Sequence, residues 1–224
     1  MLFFSQRIPM ICLICVAGLF LINSILICFY SPMIADQHWA QKIFYLHVPS
    51  AWTAFLSYFI VMAAGILFLL KNQRRWDRLG LAAAEIGTLF TALVLITGPI
   101  WANPVWGKAW SWEPRLTTTL ILFLIYVGYF MIRSFGGTPE KVSRISAVLG
   151  IIAFADVPII YFAVDMWASE FQSHPPRTVV AQSETTIQLL FLYSLFTFTC
   201  LYFLMLLFRT HVIKLGERFQ HHDI

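Results

Sequence analysis

Six apolar runs, at about 8–30, 48–70, 79–100, 116–132, 145–164 and 187–208, leave this chain no route to a water-soluble fold. Each is long enough, at about 1.5 Å of rise per residue, to carry an α-helix across a hydrocarbon core of roughly 30 Å. A helix satisfies its backbone hydrogen bonds within one segment, which lipid demands. Charged residues make up only 12% of the 224 positions, about half of the roughly 25% usual in soluble domains. The chain is therefore read as an all-α polytopic membrane protein with six transmembrane helices, a single integral membrane domain over 1–224. Its connections are too short to hold a separate soluble catalytic domain, so any site lies at span ends or between spans. The first run exceeds the apolar core of a signal peptide and no small-x-small cleavage site follows it, which marks a retained span.

Lysine and arginine set the orientation. Arg7, Lys71, Arg74, Arg75, Arg78, Arg133, Lys141, Arg144, Arg209, Lys214 and Arg218 fall on one side, which is 11 of the 15 basic residues. By the positive-inside rule that side, with both termini, is cytoplasmic. The loops 31–47, 101–115 and 165–186, which hold only Lys42, Lys108, Arg115 and Arg177, are then periplasmic. The net charge of +4 is thus an orientation signal and implies no nucleic acid. Cys12, Cys15, Cys28 and Cys200 all lie in apolar runs, and Cys12-x-x-Cys15 lacks the strand and turn that give a redox motif meaning. No Walker motif occurs, so any ATP use belongs to another chain.

The outer loops carry Trp39, Trp101, Trp106, Trp110, Trp112 and Trp167, six of the eight tryptophans, together with His38, His47 and His174. Two readings of the stretch from Gly98 to Arg115 stand side by side. One is an interfacial belt, since indoles favour the headgroup level. The other is a shaped platform for a large flat apolar ligand, with glycine admitting close backbone approach and Lys108 or Arg115 pairing with acidic groups. Residues 35–47 are expected to form a short surface helix, because Trp39, Ile43 and Leu46 or His47 recur at intervals of four, seven and eight. That places His47 on the membrane-facing side and Pro49 in the first turn of the second span. A histidine at such a position is either a hydrogen-bonded packing residue or a ligand, and His174 is either solvated or a ligand. Two outward imidazoles flanking a tryptophan-rich loop suit axial ligation of heme iron, with His38 in reserve. His211, His221 and His222 read as solvated tail residues or a weak metal cluster. Within the spans, Glu85 and Asp156 are either a proton relay or hydrogen-bonded carboxyls, Asp156 filling the gap at a Pro158 kink.

Three stretches carry a family resemblance: Tyr45-Leu46-His47-Val48-Pro49-Ser50-Ala51-Trp52; the loop Trp106-Gly107-Lys108-Ala109-Trp110-Ser111-Trp112-Glu113-Pro114-Arg115-Leu116-Thr117; and Ala155-Asp156-Val157-Pro158 with the residues following it. With their spacing over six spans, the chain resembles the tryptophan-rich heme-handling family of cytochrome c biogenesis, that of cytochrome c maturation protein C or heme exporter protein C. The resemblance implies a cytoplasmic (inner) membrane protein that takes heme b as cargo at the periplasmic face. The resemblance also implies delivery of this cargo to a periplasmic heme chaperone, cytochrome c maturation protein E, alongside ABC transporter subunits and a small membrane subunit. It implies His47 and His174 as axial ligands, Trp106, Trp110 and Trp112 as the platform, Glu113 as its acidic member and Arg115 as a propionate holder. The family has a further tryptophan where Ala109 stands, Asp-Ala where Glu113-Pro114 stand, and a histidine four residues after a tryptophan pair. Here His174 follows Trp167 by seven. The chain is expected to handle and deliver heme and not to catalyse a bond change alone. The competing readings are a transporter moving heme or another planar anion through the bundle past Glu85 and Asp156, and a structural subunit whose tryptophans only anchor it.

Overall fold

A computed structural model of the chain describes residues 2–35, 37–167, 174, 181 and 183–220. It is all-helical, with no strand among the described residues. The helices are α1 (Leu2–Phe29), α2 (Phe44–Lys71), α3 (Arg74–Trp106), α4 (Pro114–Phe135), α5 (Pro139–Ala153), α6 (Asp156–Met166) and α7 (Thr185–Gln220), with a 3-10 helix over His38–Ile43. Six segments are long and apolar enough to cross a membrane, α5 and α6 together making one of them.

Local chemistry shifts the ends away from the hydropathy limits. The segment before α2 is 3-10, with three residues per turn, so a 3.6-residue period extended from Trp39 arrives on the wrong face. The helix continues unbroken through Phe44. Leu46 turns outward and His47 inward, 38% and 9% exposed respectively, which corrects the expected membrane-facing histidine. Pro49 consequently lies inside α2 and not in its first turn. Helix α3 also runs six residues past 100, through Pro104 to Trp106, and stops at Gly107, whose φ of +73° suits glycine. The fifth span is broken at Phe154 and Ala155. Pro158 lacks the N–H that would bond the Phe154 carbonyl, and that carbonyl instead accepts from Val157 N at 3.1 Å. Asp156 heads α6, its buried Oδ2 without a hydrogen-bond partner among the described residues.

The core is a bundle of α2, α3, α4 and α7 around buried tyrosines. Tyr58 stacks on Tyr126 with centroids 4.2 Å apart, and Tyr126 packs on Tyr129 at 5.7 Å. Lipid supplies no hydrophobic drive between helices, so contact depends on close packing. A Cβ at Gly87 would come within 2.9 Å of both Ser57 and Tyr58, so glycine is what lets α3 seat against α2 there. Where α3 begins, Asp77 accepts from both terminal nitrogens of Arg133, at 2.5 and 3.2 Å, and from Ser143 at 2.9 Å, joining α3, α4 and α5. Further along, Glu85 pairs with Arg209 of α7 through two nitrogens. Of the two expectations for Glu85, a proton relay or a hydrogen-bonded carboxyl, the contact seen is the second in kind, with a cation as the partner. Helix α1 packs on α7, where Ser194 donates to Asn23 at 2.9 Å.

Candidate functional site

At the opposite end of α3, residues four apart share a face, and Thr97 and Trp101 turn toward α2. Thr97 Oγ1 lies 2.9 Å from His47 Nδ1. The imidazole rests against Gly98, where a Cβ would stand 3.3 Å from its Cε1. Trp101 presents its ring to the imidazole nearly edge-on, centroids 5.7 Å apart. Its indole N–H donates to Gln37 at 3.3 Å, and Phe44 packs against its ring at 6.1 Å. The segment carrying Gln37 is itself anchored, since Lys42 donates to the Cys28 carbonyl at 2.6 Å in the last turn of α1, a favourable place for a cation.

The row of rings continues outward. Trp106 lies 6.1 Å from Trp101, and His174 lies 6.2 Å from Trp106. His47 and His174, distant in sequence, are thereby linked through two indoles. Gly107 then reverses the chain, and Pro114 starts α4 at a position where a missing N–H costs nothing. Glu113 stands at the N-cap of α4 but makes no capping bond. Its buried carboxylate instead accepts from His174 Nδ1.

Arg115 also belongs to this end. It is close enough to His47, as is His174, to act electrostatically on the imidazole. Its guanidinium donates to the carbonyls of Ile160 and Tyr161 at 3.3 and 3.1 Å, tying α4 to α6. The expected tryptophan platform divides in two. Trp106 joins the row between the histidines, whereas Trp110 and Trp112 pair with each other edge to face at 5.7 Å. Trp112 is 75% exposed, and the indole N–H of Trp110 is buried without a partner among the described residues, as is the hydroxyl of Thr117. Lys108 is exposed. Within the third outer loop His174 is described, while Arg177 lies outside the described residues, as do His221 and His222.

Thr97 and Gln37 carry contacts that motif reading passes over, and Trp101, noted there as one of the outer tryptophans, carries the contact to His47. Thr97 and Trp101 do leave a signal, a hydroxyl and an indole four apart at the end of an apolar helix. Gln37 leaves none, because its role depends on how the 3-10 helix docks. Chemically, the assembly offers two imidazoles, each engaged at Nδ1, with aromatic faces between them. The loop before α4 and that helix's first turn also hold buried donors, Trp110 Nε1 and Thr117 Oγ1, without an acceptor among the described residues.

The sequence model of the heme exporter protein C family matches residues 1–223. The chain is 34% identical over 167 residues to heme exporter protein C of Bradyrhizobium diazoefficiens, covering 73% of this chain and 62% of that protein. It is 33% identical over 139 residues to heme exporter protein C of Paracoccus denitrificans, covering 62% and 58%. To heme exporter protein C of Escherichia coli K12 it is 34% identical over 140 residues, covering 62% and 56%. The matches thus span less than two thirds of the length of these relatives.

Proposed function

This chain belongs to the heme exporter protein C family, and on that premise we propose that it binds heme as cargo at its tryptophan end and delivers it for c-type cytochrome biogenesis. The observation that carries this reading is the line of rings from His47 through Trp101 and Trp106 to His174. Neutral imidazole is the commonest protein ligand for a transition metal, and indole faces complement a porphyrin. In this reading His47 and His174 are the axial ligands, Trp106, Trp110 and Trp112 contact the macrocycle, and Glu113 holds His174.

The donor set fits a planar apolar ligand with acidic tails. A buried donor without an acceptor is costly in a folded protein, and the Trp110 indole and the Thr117 hydroxyl both lack one among the described residues. A propionate would supply it, with Arg115 adding charge. The cargo is then non-covalent heme b, held at the periplasmic face of the inner membrane. A periplasmic heme chaperone, cytochrome c maturation protein E, is the recipient, and ABC transporter subunits with a small membrane subunit are neighbours. The chain need not change a bond alone, since covalent attachment would occur on the chaperone during docking. Passage through the bundle is less well supported, because stacked tyrosines fill the interior and Glu85 is paired.

Purification with endogenous heme tests the site. His47→Ala and His174→Ala are each expected to lose most of the bound heme or to lose the low-spin bis-imidazole spectrum. Wild-type heme content and spectrum in both variants would overturn the assignment.

A further inference from the structure

We propose that Thr97 is a positioning residue that fixes the tautomer of His47, so that Nε2 is the ring nitrogen offered to the cargo. The proposal rests on the heme-binding reading above. A threonine hydroxyl carries one proton and two lone pairs. In α3 that proton goes to the Leu93 carbonyl, 2.7 Å away, the back-bond a helical threonine commonly makes. With its proton committed, Oγ1 meets His47 Nδ1 at 2.9 Å as an acceptor. The proton of the neutral ring therefore sits on Nδ1, and the in-plane lone pair sits on Nε2. Gly98 on one side and the Trp101 edge on another hold the ring. Residues 97, 98 and 101 of a single helix thus form a socket for one imidazole.

His174 reaches the same tautomer by a different acceptor. An ionised carboxylate only accepts, so the Glu113 contact also puts a proton on Nδ1 of that ring. The two acceptors are electronically unequal. A carboxylate behind an imidazole raises its basicity as a ligand more than a neutral hydroxyl does. The site therefore offers one stronger and one weaker axial donor, with Thr97 behind the weaker.

The test compares the full chain with Thr97→Val and Thr97→Ser in detergent, in two states. In heme-free protein labelled with nitrogen-15 histidine, wild type and Thr97→Ser are expected to show His47 protonated at Nδ1, whereas Thr97→Val, nearly isosteric but without an acceptor, loses that preference. After loading with hemin, Thr97→Val is expected to retain heme at least about tenfold more weakly, equivalent to about 1.4 kcal/mol, with a partly high-spin spectrum that Thr97→Ser restores. An unchanged Nδ1-protonated His47 in Thr97→Val, or an unchanged low-spin spectrum and hemin retention in that variant, overturns the proposal. His47→Ala separates the two levels. If that variant keeps the wild-type spectrum, the ligand reading itself falls, while the nitrogen-15 tautomer still reports on Thr97.

Discussion

A carboxylate and a hydroxyl facing two imidazoles divide the labour of one site, and the difference is measurable at single atoms. Glu113 is buried against His174, and in the proposed heme complex its charge would favour the more positive iron state. Glu113→Gln keeps an oxygen to accept from Nδ1 and removes the charge. Its hemin complex is expected to keep a low-spin spectrum with a raised midpoint potential, by about 60 mV for each tenfold loss of preference for the ferric state. Potentiometric titration of wild type and variant checks this, and an unchanged potential would remove the electrostatic role. The polar members of the site were legible because they are costly where they stand. Imidazoles and a carboxylate beside tryptophans at the ends of apolar runs stand out without coordinates. Thr97 left only its register four residues before Trp101 as a signal, because helical threonines satisfy themselves on the preceding turn and need no partner. The inward turn of His47 was hidden for another reason, a change of helical pitch that hydropathy does not record.

At the scale of elements, segment existence followed from hydropathy and segment ends did not. The third helix overruns its apolar stretch through Pro104, because the tryptophan face of its last turns packs on α2 and the 3-10 helix. The fifth span breaks where Pro158 removes one backbone donor, a break the sequence anticipated as a kink. Helix contacts depend on small residues at specific registers, which sets a stability test away from the site. A Cβ at Gly150 of α5 would stand 2.6 Å from Val61 Cγ1 of α2, and Val61 is buried. Gly150→Ala should therefore destabilise the protein by about 1–3 kcal/mol, the usual cost of overpacking. Val61→Ala should leave a small cavity of its own. The double variant should be more stable than the two single effects sum to, because each relieves the other. Thermal unfolding in detergent, followed by tryptophan fluorescence, measures the coupling. Simple additivity would show that α2 and α5 do not meet at this register.

Across the whole molecule, polarity is segregated along α3. Asp77 and Arg78 near its start make ion pairs with Arg133 and Glu217, while Thr97 and Trp101 near its end face His47. The 24 helical steps from Asp77 to Trp101 rise about 36 Å, enough to place the two sets at opposite faces of a bilayer of roughly 30 Å. The basic residues Lys71, Arg74 and Arg75 gather with the ion pairs, so the positive-inside rule predicts a cytoplasmic location for that end and a periplasmic one for the histidine site. This orientation is testable with the native cysteines replaced by alanine. All four lie on membrane-crossing helices and are exposed or half-buried, so their loss should be well tolerated. In that background Lys108→Cys sits on the exposed loop after α3, and Glu140→Cys on the exposed start of α5. A membrane-impermeant maleimide applied to spheroplasts should label Lys108→Cys at once and Glu140→Cys only after the membrane is opened. The reverse pattern would place the tryptophan end inside the cell, where a periplasmic chaperone could not reach it, and delivery to such a partner would then fail however well the imidazoles bind heme.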